Sequence, residues 1–94
     1  MKAYIYSIRD LKMNKYGLPY SAANNDIAKR MLASTMWNGK NQLNMFAEDF
    51  QLFKLGSYDD DTGELITENE FICNATEFKK GGENGVSDGM ESKE

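Results

Sequence analysis

The chain has no histidine, one cysteine and one proline among its 94 residues. Without histidine there is no imidazole base, no Ser-His-Asp triad and no Cys/His zinc site. A lone Cys73 cannot form an internal disulfide, which fits a reduced, cytosolic setting. Long apolar runs are also missing. None approaches the roughly 20 residues that span a bilayer, and the first ten, Met1 to Asp10, alternate with polar residues rather than forming a signal-peptide core. What remains is a 10.7 kDa chain, 40% hydrophobic, enough for one domain with a thin core.

Charge is unevenly spread. The formal net charge is −4. Residues 1–54 carry eight Lys and Arg against four Asp and Glu, whereas residues 55–94 carry three against eleven. A pI near 4.8 opposes strong nonspecific nucleic-acid binding, which scales with the cations presented. The asymmetry leaves a basic first half able to meet phosphate, with the acidic half screening it or keeping the chain soluble.

The pattern predicts an α+β fold, one helix packed on a small sheet of three to four mainly antiparallel strands in the order β-α-β-β. Residues 3–8 read as a central strand, with Tyr4, Tyr6 and Ile8 on one face and Ala3, Ile5 and Ser7 on the other. Asp10 to Pro19 reads as a connection, with Leu18 extended before Pro19. Residues 25–37 read as the helix, capped by Asn24 or Asn25, with Asp26 at the positive end of its dipole. Its apolar stripe is expected to be Ile27, Met31, Leu32, Thr35 and Met36, with Lys29, Arg30 and Ser34 in water. Asn38-Gly39 ends it. Residues 40–49 read as a polar loop with a helical turn around Met45-Phe46. Residues 50–58 and 64–67 form a hairpin closed by Asp59 to Gly63, and residues 71–75 form a fourth strand or an irregular segment on the core. Gly56 marks a bulge or a close backbone approach. Residues 1–80 make the domain; residues 81–94, glycine-rich, acidic and almost without apolar side chains, read as disordered. Open sheet edges suggest a homodimer.

Few motifs carry chemistry. Asp59, Asp61 and Glu70 match three positions of an EF-hand loop, but Gly63 and Glu64 stand where a ligand and a glycine are needed, so no metal is assigned. Cys73, between Ile72 and Asn74, reads as a small buried hydrophobe rather than a nucleophile. With no phosphate loop and no buried carboxylate pair, neither catalysis nor a cofactor is expected. Single-stranded nucleic-acid binding needs cations along a backbone path and aromatic faces on which bases stack. Arg9, Lys12 and Lys15 interleave with Tyr16 and Tyr20; Lys29 and Arg30 follow on the helix, and Trp37 and Lys40 stand at its end. The plainer alternative packs the tyrosines under a loop, closes the core with Trp37 and leaves the cations as a solvated face. A second class of function is a protein–protein module that uses Asp59, Asp60, Asp61 and Glu64 as its recognition surface.

Several stretches occur together in a familiar order: Ser7-Ile8-Arg9-Asp10 followed by Lys12, Leu18-Pro19-Tyr20, Asn25 to Arg30, and Glu48-Asp49-Phe50-Gln51-Leu52-Phe53-Lys54-Leu55-Gly56-Ser57-Tyr58-Asp59 with Thr62-Gly63. Over residues 4–67 the chain resembles the small nonstructural protein of gokushovirus-type microviruses, phages with circular single-stranded DNA genomes. It departs from that pattern at Met31, at Ala47 and beyond Phe78. The resemblance implies a non-enzymatic, DNA-binding role in the host cytoplasm, in genome replication or in the switch to single-strand production or packaging. It supplies no catalytic residues. Under this reading the partner is single-stranded DNA; under the alternative it is the phage replication initiator, an assembly intermediate or a host factor. No membrane partner is expected. Arg30, opposite the apolar stripe and free to meet phosphate, is the first candidate, and Lys29 the next.

Overall fold

The structure, a computed structural model, describes residues 1–38 and 42–79. Lys40 and the segment 81–94 lie outside the described residues. The chain is α+β, as its pattern predicts: one main helix on an antiparallel sheet. The strands are β1 (Lys2–Asp10), β2 (Lys15–Tyr16), β3 (Tyr20–Ala22), β4 (Phe50–Asp59) and β5 (Leu65–Asn74). The helix α1 spans Asn25–Trp37, a one-turn helix α2 spans Gln42–Met45, and 3-10 turns cover Ala47–Asp49 and Ala75–Phe78. Among the described residues no helix is long and apolar enough to cross a membrane.

β1 is central, as its two-sided apolar pattern requires. β4 pairs with it along one side, while β2 and β3 share the other. The connection expected over residues 10–19 therefore supplies an interrupted edge strand. Periodicity misses it because β2 has two residues and β3 three. Asn14 makes the preceding turn possible: its φ of 57° lies in the left-handed region that Asn tolerates. Asp10 Oδ1 accepts from the amides of Lys12 and Met13 and closes the turn.

β5 is also longer than its pattern suggests. One ten-residue strand replaces the two expected pieces at 64–67 and 71–75. Register shifts between Leu52 and Phe53 and between Lys54 and Gly56 explain this, because each bulge resets the alternation along the strand. Those bulges, with Glu68 and Glu70, also blunt the outer edge of β5 against adding another strand.

The core lies between the sheet and α1. Tyr6, Ala22, Ala28, Leu32, Met36, Ala47, Leu52, Cys73 and Ala75 form one buried cluster, with Tyr4, Ile8, Tyr20, Leu43, Phe50, Ile72 and Phe78 packed around it. Burying a side chain the size of Leu32 or Met36 contributes about 1.5–3 kcal/mol. The stripe of α1 that faces this core is Ala28, Leu32, Ala33 and Met36. Ile27 and Met31, expected inside, are exposed. Tyr20 takes the space beside that flank: its hydroxyl donates to the carbonyl of Ala28, 3.0 Å away, and its ring lies 6.0 Å from Tyr6. At the start of α1, Asn24 accepts from the amide of Ile27 at 2.8 Å and caps the first turn.

Two glycines in β4 and its turn have different reasons to be glycine. A Cβ on Gly56 would stand 2.1 Å from the carbonyl oxygen of Ile66, a main-chain atom of the paired strand. Gly63 has open space around it but a φ of 77°. Gly56→Ala is therefore expected to cost at least about 2 kcal/mol, since overpacking here displaces backbone. Gly63→Ala is expected to cost about 1–2 kcal/mol from the left-handed backbone alone. Urea denaturation of the two variants measures the difference; equal costs would refute the steric account of Gly56.

Candidate nucleic-acid interface

α1 and the two 3-10 turns place their buried residues in the one core cluster, and α2 packs its half-buried Leu43 against it, all on the same side of the sheet. The other side has no helix over it among the described residues. Strand register puts four rows of side chains there: Ala3, Tyr58 and Leu65; Ile5, Gly56 and Thr67; Ser7, Phe53 and Phe71; and Arg9, Gln51 and Asn74, with Tyr16 beside Arg9 on the edge. Of these paired positions only Arg9 is charged.

The rings on this face form a chain. Phe53 meets Tyr16 edge-on at 5.6 Å and Phe71 at 5.9 Å. Phe53 is nearly buried in the middle, whereas Tyr16 and Phe71 are 42% and 47% exposed. The guanidinium of Arg9 lies 5.6 Å from the centre of the Tyr16 ring. Its Nη2 donates to Asn14 Oδ1 at 2.6 Å, and its buried Nε has no hydrogen-bond partner. Amides border the rings. Asn69 Nδ2 donates to the Tyr16 hydroxyl at 3.3 Å, and Gln51 Nε2 donates to Asn74 Oδ1 at 3.0 Å.

The sequence candidates divide between this face and two other places. Arg9 and Tyr16 share the open face at one corner of the sheet, with Lys12 in the turn after β1, whereas Lys15, paired with Asp10, points to the helix side of the same corner. Tyr20 does not join them; its ring and hydroxyl are both committed to the core. Lys29, Arg30 and Trp37 lie on α1, across the sheet from the open face. There they line a shallow cleft of about 580 Å³ with Ala33, Ser34, Asn38 and Phe78, a volume in the range of small-molecule sites. Trp37 is 51% exposed. Its indole N–H donates to the Phe78 carbonyl at 2.7 Å, which fixes the ring while leaving part of it in solvent. Phe53 and Phe71 were absent from the sequence candidates. Phe53 reads as hairpin core and Phe71 as part of a fourth strand or irregular segment on the core, and only the register shows them on the helix-free side.

The acidic hairpin is organised around the first residue. The amino group of Met1 lies 2.7 Å from Asp61, 2.9 Å from Asp60 and 3.7 Å from Asp59. These contacts, led by the hydrogen bond to Asp61, raise the pKa of that amine. Glu64 caps the turn through its backbone, donating to Thr62 Oγ1 at 3.2 Å.

A family model described as Phage ORF5 protein matches residues 3–78. The chain belongs to that family. It is thus a phage protein, and both the open face and the cleft fall inside the span shared with Phage ORF5 proteins. No curated protein and no solved structure matches it.

Burial governs two titrating groups beside α1. It pushes the Cys73 thiol up from 9.0 to about 11 and the Tyr20 hydroxyl up from 10.0 to about 12. Each group holds its proton more tightly when folded. The stability this supports is complete below pH 9 and is lost as pH rises through the folded values. Stability measured by urea unfolding is thus expected to fall from pH 9 towards pH 11, and Cys73→Ala should flatten part of that fall. An unchanged slope in Cys73→Ala would show that the thiol does not contribute.

Proposed function

We propose that this phage protein binds single-stranded DNA through the helix-free face of its sheet, as a non-enzymatic factor in handling a single-stranded genome. The observation that carries the reading is the aromatic row Tyr16, Phe53 and Phe71 with Arg9 at its end, on a face whose other paired positions are neutral. Stacking on aromatic side chains contributes about 1–3 kcal/mol per base and is tolerant of sequence. Lys12, in the turn next to Arg9, extends the cationic path at the sheet corner, where phosphates would run. The side-chain amides of Gln51, Asn69 and Asn74 offer donors and acceptors to base edges. The likeness to gokushovirus-type proteins over residues 4–67 supports the same role, in replication or in the switch to single-strand production or packaging.

The acidic hairpin is the less favoured surface. Its three aspartates are turned onto the Met1 amino group, so a basic protein partner would have to displace an existing ion pair.

Anisotropy of a labelled single strand at about 50 and 200 mM salt tests the proposal. Saturable binding that weakens with salt is expected. Phe71→Ala should weaken it by about 1–3 kcal/mol through lost stacking. Arg9→Gln should weaken binding across all sequences and reduce the salt slope by about one. No binding at 50 mM, or full affinity in both variants, would overturn the reading.

A further inference from the structure

The single-stranded reading leaves one cationic aromatic surface unused, and that surface lies across the sheet from the first. The cleft beside α1 is lined by Lys29, Arg30, the half-exposed Trp37 and Phe78, whose carbonyl accepts from the Trp37 indole. Its lining holds two cations and no carboxylate. Trp37 is held by its bond to the Phe78 carbonyl, so its ring is positioned before any ligand arrives. A fixed indole face beside two cations meets the same two requirements, stacking and phosphate neutralisation, as the open sheet face.

We propose that this cleft is a second single-stranded DNA contact, so that one molecule holds two segments of strand, one on each side of its sheet. The proposal rests on the single-strand reading of the sheet face and extends it. Charge complementarity argues for the occupant: a polyanion with stackable bases suits a cleft whose charged residues are both basic. The physical consequence is bridging. A protein with one site coats a strand, whereas one with two opposed sites draws distant segments together. That is a way to compact a long single strand despite the repulsion between its phosphates.

The chain contains one tryptophan, and it stands in the cleft. Its fluorescence therefore reports cleft occupancy, while anisotropy of a labelled strand reports binding at either site. The experiment uses the full chain and an oligonucleotide of about eight bases, short for one site. One strand is fixed to beads, protein is added, and a second, fluorescent strand of the same sequence is offered. The wild type is expected to capture the second strand and to show quenching of Trp37. The double variant K29E/R30E should still bind the first strand, with anisotropy affinity changed less than about threefold, while losing Trp37 quenching and at least about tenfold of second-strand capture. Arg9→Gln with Phe71→Ala should keep the quenching and also lose capture. Two outcomes overturn the bridge while leaving the sheet-face site standing: first-strand binding without capture, or capture that survives K29E/R30E. Absence of first-strand binding overturns both readings. Circular dichroism of each variant confirms that it is folded before the comparison is made.

Discussion

The arrangement depends on one limit of coverage. Among the described residues the one long helix has thirteen residues, about 20 Å of rise. The sheet it must cover is four strands across, roughly 14 Å between the outer strand axes, with strands up to ten residues long. One helix of that size covers one face. The short turns at Gln42–Met45, Ala47–Asp49 and Ala75–Phe78 do not change this, because they fill the margins of the same side. Among the described residues, the second face is left to its own side chains. They meet the problem by packing rings edge to edge, with Phe53 sheltered between Tyr16 and Phe71, so that part of the aromatic surface stays in water.

Net charge gives a poor description of such a molecule. Among the described residues, Asp59, Asp60, Asp61 and Glu70 are engaged in ion pairs away from the open face. Asp59, Asp60 and Asp61 sit at the hairpin tip around the Met1 amine. Glu70 pairs with Lys54 at 3.3 Å, and Lys54 in turn lies 4.6 Å over the ring of Tyr4, on the helix side. Among its described residues, a chain with an acidic total thus presents a face whose paired positions carry one charge, that of Arg9, and a cleft whose charged lining is basic. At physiological salt, charges beyond about 8 Å are strongly screened, so a local surface outweighs the total for a ligand already in contact.

Much of the fold was legible in the residues. Apolar residues on both sides over residues 3–8 mark a central strand, because a strand paired along both edges is sheltered on both faces by its neighbours' side chains. Asn24 and the three- and four-residue spacing that follows mark α1. Gly56 and Gly63 announce a close approach and a positive φ. The errors have physical causes too. Ile27 and Met31 belong to an apolar helix stripe by spacing, yet α1 presents Ala28, Leu32, Ala33 and Met36 to the core, with the Tyr20 hydroxyl bonded to the Ala28 carbonyl. Two- and three-residue strands carry too few alternations to be seen. The bulges in the β4–β5 pair break the alternation that would have shown β5 as one strand.

Local chemistry is what the sequence determined by itself: where the helix starts, which turns need glycine or asparagine, that Cys73 sits among apolar neighbours, and that cations and tyrosines crowd residues 9–20. Each depends on neighbours a few positions away along the chain. Which aromatics face water was decided by the tertiary structure alone. Tyr16 and Tyr20 are four residues apart and chemically identical, yet one lies on the open face and the other in the core, because β2 and β3 meet β1 at positions of opposite side-chain direction, Arg9 and Tyr6. Phe53 and Phe71 joined Tyr16 for the same reason. The face of a side chain is set by pairing register with a distant strand, and a shift of one residue reverses it.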